Sequence, residues 1–314
     1  MNNYIFSVDT KLIKDINDIS NFTYSLPFEL KNVIEINLSS VEIPNSIYVF
    51  SEAKDNDYMV IKIHEQNFRF YLPNGNYDIK ELFDNINKFF NDIESYQFHE
   101  EKFVQIGFAF DVDIAKFKIN SNTPFSLYFY NSTEYHSLGR LLGFAKEKYE
   151  NTQYLVSEMI PDIIGDKYIF MKINDFGNLY HNDTIYFSKI IVDKESFEMI
   201  FNSKHTYVTK KYKFKSPVNL NNLKIKFEDY LGNLIDFNGV DLSFTLEIKT
   251  INVAKNEIIN KFYSRFSYDP EFLKLILQDA MLKYYLKDAK FDFKDIGKEY
   301  LEILHSQTKN INSS

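Results

Sequence analysis

The sequence predicts an all-β protein: a jelly-roll-like β-sandwich with one inserted amphipathic helix and a C-terminal helical appendage. Three observations predict it. About a dozen short segments rich in aromatic and β-branched residues, separated by polar turns, fill most of the chain up to Ile251. One window within them, 79–93, switches to helical spacing. After about Ile251 helical spacing returns and stays. The change of period divides the chain into a β-sandwich over residues 1–255 and a helical segment over 256–314.

The elements follow in order. Tyr4–Val8, Phe22–Leu26, Val33–Val41, Tyr58–Ile63 and Phe68–Leu72 read as strands. In the third, Ile34, Ile36 and Leu38 share one face, while Glu35, Asn37 and Ser39 share the other. Pro27 and Pro44 bracket it, because proline cannot donate to a ladder. Asn74-Gly75-Asn76 ends the strand pattern. Asp78 then caps a helix, with Glu81 three residues on. Ile79, Leu82, Phe83, Ile86 and Phe90 fall on its apolar stripe. Strands resume at Phe103–Phe110, Lys116–Asn120 and Phe125–Tyr130. Ser137–Phe144 reads as a helical turn that needs small residues and ends at Gly143. Tyr168–Ile173, Tyr186–Val192, Tyr207–Phe214, Leu223–Glu228 and Ser243–Ile251 complete the strands. Two phrases echo each other, Pro27-x-x-Leu30-x-Asn32-Val33 and Pro217-x-x-Leu220-x-Asn222-Leu223. They read as two turns of the same chemistry, since the alternation downstream of them is out of phase. In the tail, Pro270 opens a helix with Phe272, Leu273, Ile276, Leu277, Ala280, Met281 and Tyr284 on a broad apolar face. A second helix is expected over about 295–305.

Composition narrows the function. The 314 residues are 45% hydrophobic and 25% charged, enough to bury a sizeable core. Phe and Tyr are abundant, at 31 and 23, and Trp is absent; both favour strands, and Tyr suits interfaces. The net charge of −8 speaks against duplex nucleic acid as a partner. The absence of Cys removes disulfides, thiolate nucleophiles and cysteine metal sites. Residues 1–10 show neither the basic nor the apolar region of a secretory signal. No apolar run reaches the length of a membrane span.

No catalytic motif emerges, and no cofactor is implied. The six histidines, His64, His99, His136, His181, His205 and His305, form no zinc pattern. Asp111-Val112-Asp113 puts two carboxylates on one face but lacks a third ligand, so a solvated loop is the preferred reading. There is no nucleophile elbow, and Gly139-x-x-x-Gly143 lacks the Lys-Ser/Thr of a phosphate loop. Two features have shape or contact as their chemistry. Asp236, Asn238, Gly239 and Asp241 make a dense turn just before the alternating strand Ser243–Ile251. Lys204, Lys210, Lys211, Lys213 and Lys215 interleave with Tyr207, Tyr212 and Phe214 in a basic–aromatic strip. Such a strip can bind single-stranded nucleic acid, protect a sheet edge, or meet an acidic protein neighbour. The acidic balance of the chain favours the edge or protein-contact readings.

Several phrases together resemble a known group. Leu234–Ile248 (LIDFNGVDLSFTLEI), Phe22–Pro44 with Asn45-Ser46, Leu72–Tyr77 (LPNGNY), Leu141–Phe144 (LLGF), Tyr186–Val192 (YFSKIIV) and Leu223–Asp229 (LKIKFED) occur in this order. The order is similar to that in minor capsid and penton-type jelly-roll proteins of nucleocytoplasmic large DNA viruses, the giant viruses. Leu242 stands where the family phrase has a His. The resemblance covers most of residues 4–250 and carries no catalytic residues. It implies a non-enzymatic structural protein of the virion, assembled in the host cytoplasm, whose partners are other capsid proteins and itself. Two other classes stay open: a carbohydrate- or receptor-binding sandwich of a fibre or spike, and a metal-dependent enzyme on a β scaffold. The first needs exposed aromatics clustered at loop ends. The second needs three convergent His or carboxylate groups in one cleft.

Overall fold

The structure is a computed structural model and describes residues 1–14, 16–96, 103–129, 137–203 and 211–251. The helices expected over 256–314, and the boundary at 255, lie outside the described residues. The elements are β1 (Asn2–Asp9), β2 (Asn21–Pro44), β3 (Tyr58–Ile63), β4 (Gln66–Tyr71), α1 (Ile79–Glu94), β5 (Ile106–Asp111), β6 (Lys116–Tyr128), α2 (Leu138–Leu141), β7 (Lys148–Val156), β8 (Tyr168–Ile173), β9 (Leu179–His181), β10 (Thr184–Tyr186), β11 (Ser188–Ile191), β12 (Met199–Ser203), β13 (Lys211–Glu228) and β14 (Ser243–Thr250). Among the described residues every pair of strands is antiparallel. The fold is therefore all-β and jelly-roll-like, with the inserted helix α1 where the sequence places it.

A seven-stranded sheet runs β1-β14-β2-β13-β8-β11, with β12 also on β2. Its backbone is the long strand β2. The first half of β2 pairs with the end of β13 (Phe22 opposite Ile225). The second half pairs with β14 on one side (Ile36 opposite Ile248). On the other side it pairs with the start of β13 and with β12. The sheet curls so that its two ends face each other. Phe22, on the first half of β2, lies 6.5 Å ring to ring from Phe244, which is opposite Val41 on the second half. Phe227 closes on Phe244 at 6.3 Å from β13. One sheet thus supplies both layers of a sandwich, the corner being made by strands that pass from one layer to the other.

Pro27 does not bound a strand as the sequence suggests; it lies inside β2. The register of β2 against β13 slips on both sides of Leu30, and Pro27 has no ladder partner. A missing N–H therefore costs nothing there. The alternation is also displaced. Val33, rather than Ile34, takes the core position, because a register shift falls between Lys249 and Thr250 of β14.

A five-stranded sheet, β4-β3-β6-β5 with β7 on β6, carries a second core. Helix α1 covers it. The capping box forms as the sequence predicts: the Asp78 side chain accepts from the Glu81 N–H at 2.7 Å, and Glu81 accepts from the Asp78 N–H at 3.0 Å. Leu82, Ile86, Phe90 and Ile93 are buried. A helix of this length is marginal alone. Burial at about 1.5–3 kcal/mol per large apolar side chain is what holds it. Phe90 and Phe117 flank Phe108 at 5.5 and 4.8 Å. No period in the sequence marks strand β7, because its burial hardly alternates: Tyr149 is its one buried residue. Helix α2 needs small residues as predicted. A Cβ on Gly139 would run into the Phe129 ring, and one on Gly143 (φ +90°) into the Met159 carbonyl.

Candidate functional site

The stretch Asn45–Asp57 crosses from one core to the other: Ile47 belongs to the first and Phe50 to the second. Its backbone polar groups need partners, and two distant turns supply them. From the first, Asn76 accepts from the Val49 N–H at 2.6 Å and donates through Nδ2 to the Ile47 carbonyl at 3.0 Å. Asn74 accepts from the Glu52 N–H at 2.8 Å. From the second, Asn238 Nδ2 donates to the Ser46 carbonyl at 2.5 Å, and the Ser46 hydroxyl donates to the Phe237 carbonyl at 2.7 Å. The phrases ending IPNS, LPNGNY and DFNG thus meet at one junction.

The second turn is built as its residues predict. Asn238 (φ 51°) and Gly239 (φ 72°) are both left-handed, and the Val240 N–H donates to the Phe237 carbonyl at 3.0 Å. The Asp236 carboxylate accepts from the Asn238 N–H at 2.7 Å. Asp241 accepts from the Thr10 hydroxyl at 2.9 Å, tying the turn to the end of β1. Leu242 is buried, and its N–H donates to the Thr10 hydroxyl oxygen at 3.0 Å. Asp236, Asn238 and Gly239 shape the backbone of this turn, and Asp241 anchors it through a side chain. Beside the turn lies an open cleft of about 300 Å³ lined by Lys54, Asp55, Asp166, Asp229 and Asp236 among others. Its charged groups are engaged: Lys54 and Asp166 pair at 3.3 Å, and Asp229 accepts from the N–H groups of Leu231 and Asn233.

The basic–aromatic strip divides. Lys204, Tyr207 and Lys210 lie outside the described residues. Lys211, Lys213 and Lys215 are exposed on one face of β13, while Tyr212 and Phe214 turn the other way and pack on the first core. Phe176 stacks on Tyr212 at 5.6 Å. Lys211 also pairs with Glu35 at 2.9 Å. Lys249 of β14 reaches the other oxygen of the same carboxylate at 2.8 Å. Glu35 sits between them on β2, only 6% exposed. Burial works to raise its carboxyl, but the two ammonium groups outweigh burial and hold it below the ordinary glutamate value. Sequence reasoning missed this group, since its partners come from strands far away in the chain.

Two more polar groups sit in the β layers. Tyr186 donates to the buried Glu228 at 3.2 Å, and Lys172 pairs with Glu228 at 2.7 Å. Burial and the neighbouring carboxylate push the Tyr186 phenol up to about 12. Tyr149 donates to Glu158 at 2.7 Å and is likewise pushed up to about 12, by burial first. Both phenols are structural donors. Asp111 is held by Lys118 and accepts from the Asp113 N–H at 3.1 Å, so the Asp111–Asp113 pair is a tied turn. His181 bonds the Tyr230 carbonyl at 3.0 Å; His99, His136, His205 and His305 lie outside the described residues. Among the described residues no three His, Asp or Glu side chains gather as a metal-holding group. No described helix is long and apolar enough to cross a membrane.

No protein-family model matches the chain, and no curated protein matches it. Among solved structures it is similar to the penton protein of mavirus, at 13% identity and a TM-score of 0.42, over 80% of this chain and 100% of that one. It is also similar to a chain of the Sputnik virophage cryo-EM structure, at 12% identity and a TM-score of 0.38, over 79% of this chain and 98% of that one. Likeness at this level leaves fold and function to be read from the chain's own residues.

Proposed function

We propose that this protein is a structural component of a large DNA virus capsid, at a minor capsid or penton position, working through protein–protein contacts and without catalysis. The observation that carries this reading is the convergence of IPNS, LPNGNY and DFNG on one junction. These blocks are among those that resemble capsid proteins, and here they fix how two β cores are joined. Their side chains are spent on backbone shape, as a building block requires. Exposed Lys213 and Lys215 on β13, and the exposed row Phe197, Met199 and Phe201 at β12, supply contact surfaces of two chemistries.

The test is quantitative proteomics of purified particles. The protein should be present at fixed stoichiometry in the outer shell and should not fractionate with the genome. A copy number matching the vertices would place it at pentons, and a much larger one across the shell. Its confinement to infected-cell cytosol, with none in virions, would overturn the reading.

A further inference from the structure

The two β cores are joined by little chain. The second core draws its buried residues from Phe50 to Tyr149, and the first from those up to Ile47 and from Ile169 onward. Among the described residues none belongs to both cores, and no strand of one sheet pairs with a strand of the other. The second core is therefore a module inserted between β2 and β8, reached by two crossings, 45–57 and 157–167. Modules that share neither a sheet nor an apolar layer move relative to one another unless something specific holds them.

Each crossing passes from the grip of one module to that of the other at a definable place. In the first, Ser46 is held by the Asn238 turn of the first module, while the Ile47 carbonyl and the Val49 N–H are held by Asn76 of the second. In the second, the Met159 and Asp162 N–H groups donate to the Gly143 and Leu141 carbonyls of the second module, both at 2.9 Å. The Lys167 carbonyl then accepts from the Val192 N–H of the first module at 3.0 Å. The handovers fall between Ser46 and Ile47 and between Asp162 and Lys167. They lie side by side: a Cβ on Gly165 (φ +80°) would stand 2.7 Å from Val49 Cγ2. Two adjacent handovers of this kind define a hinge.

One side chain spans both crossings. Lys54 ends the 3₁₀ turn Glu52–Lys54, on the second module's side of the first crossing. Its ammonium group donates to the Tyr48 carbonyl at 2.7 Å and pairs with Asp166, on the second crossing, at 3.3 Å. The Asp166 side chain is only 10% exposed, so salt screens this pair little. Lys54 is also the sole cation among the described residues that line the cleft beside the junction. With it stand Asp55, Asp166, Asp229 and Asp236, the last two from the first module. Without Lys54 the cleft would carry aspartates from both sides and no cation between them, and like charges push such a cleft open.

We propose that Lys54 is an electrostatic latch that sets the angle between the two modules, across a hinge at 46–47 and 163–166. The cysteine-free sequence allows a direct test in the full chain. Two pairs of spin labels, Ser7→Cys with Lys80→Cys and Lys224→Cys with Glu150→Cys, join exposed positions on the first module to exposed positions on the second. Two pairs are used because a rotation can leave one distance unchanged. Dipolar spectroscopy should give narrow distances when Lys54 and Asp166 are intact. Lys54→Met and Asp166→Asn should each broaden or shift at least one distance, while the circular dichroism stays β-rich. Lys54→Arg, which keeps the charge, should preserve the narrow distances. Lys62→Met, which removes an ion pair to Glu65 inside the second module, should change neither distance. Should one latch variant fail to fold, the other reads the same pair from the opposite crossing. Narrow, unshifted distances in the latch variants would overturn the proposal. So would distances already broad with the pair intact. Loss of β-rich circular dichroism in both variants would also overturn it, because the pair would then support a core instead of setting an angle.

Discussion

Leu30 of β2 and Leu220 of β13 are cross-strand partners at the corner where both strands pass from one layer of the sandwich to the other. Both are buried. The two echoing phrases of the sequence, each Pro-x-x-Leu-x-Asn, thus lie side by side, and the Asn219 side chain accepts from the Asn32 N–H at 3.1 Å. The corner needs the same chemistry twice because two paired strands must turn together. Each phrase supplies a proline off the ladder and a leucine to fill the bend.

Leu30→Ala and Leu220→Ala should each cost about 2–5 kcal/mol of stability, the range for buried leucine truncation. The pair should be non-additive by at least about 0.5 kcal/mol, since the side chains are neighbours on one face. Denaturant unfolding of the two single variants and the double variant checks this. Strict additivity would show that the two leucines do not pack as one unit.

How much of this was legible in the sequence depends on the range of the interaction. The α1 capping box at Asp78 and Glu81, the Asn238-Gly239 turn, and strands β3 and β8 are written locally, and the structure repeats them. The continuity of β2 through Pro27 was not legible. A proline ends a strand on local rules, and only the slipped register against β13 removes that penalty. Local alternation puts Glu35 on the polar face opposite the core, yet it is buried, because Lys211 and Lys249 close over it from two other strands. Strand β7 has its one buried residue at Tyr149, so no period marked it.

Stability should fall with pH through Glu35. Its folded carboxyl lies below the ordinary value of 4.5, so the unfolded chain takes up the proton first. The stabilisation is therefore present above the unfolded value and is lost as the pH falls through the folded one. Glu35→Gln should lose about 1.5–3 kcal/mol near pH 7, the scale of charge-assisted hydrogen bonds. The gap to the unaltered protein should close below the ordinary glutamate range. Thermal melts across pH 3–7 measure it, and a gap independent of pH would exclude the ion pairs as its source.

The turn makes a sharper test of backbone against packing. A Cβ at Gly239 would meet nothing within 4 Å, so any cost there comes from φ +72° alone. Gly239→Val should destabilise by about 1–3 kcal/mol, because a β-branched residue resists the left-handed region. Gly239→Asn should cost far less, since Asn tolerates that region. Equal effects of the two substitutions in a melting experiment would point to a lost contact in place of a strained backbone.

The lysines of β13 should separate by role. Lys211 neutralises a buried carboxylate, whereas Lys213 and Lys215 are exposed on the same face. Lys211→Gln should therefore lower the melting temperature. Lys213→Gln with Lys215→Gln should leave it unchanged, because substitutions at such surface positions shift stability by under about 0.5 kcal/mol. If this face meets an acidic protein neighbour, the double variant should still fold but associate less with capsid proteins, with a weaker dependence on salt. Binding of the unaltered protein to single-stranded oligonucleotides should be weak and vanish at moderate salt, since few phosphates can be neutralised by so short a strip. Tight oligonucleotide binding that survives salt and disappears in the double variant would reassign the strip to nucleic acid.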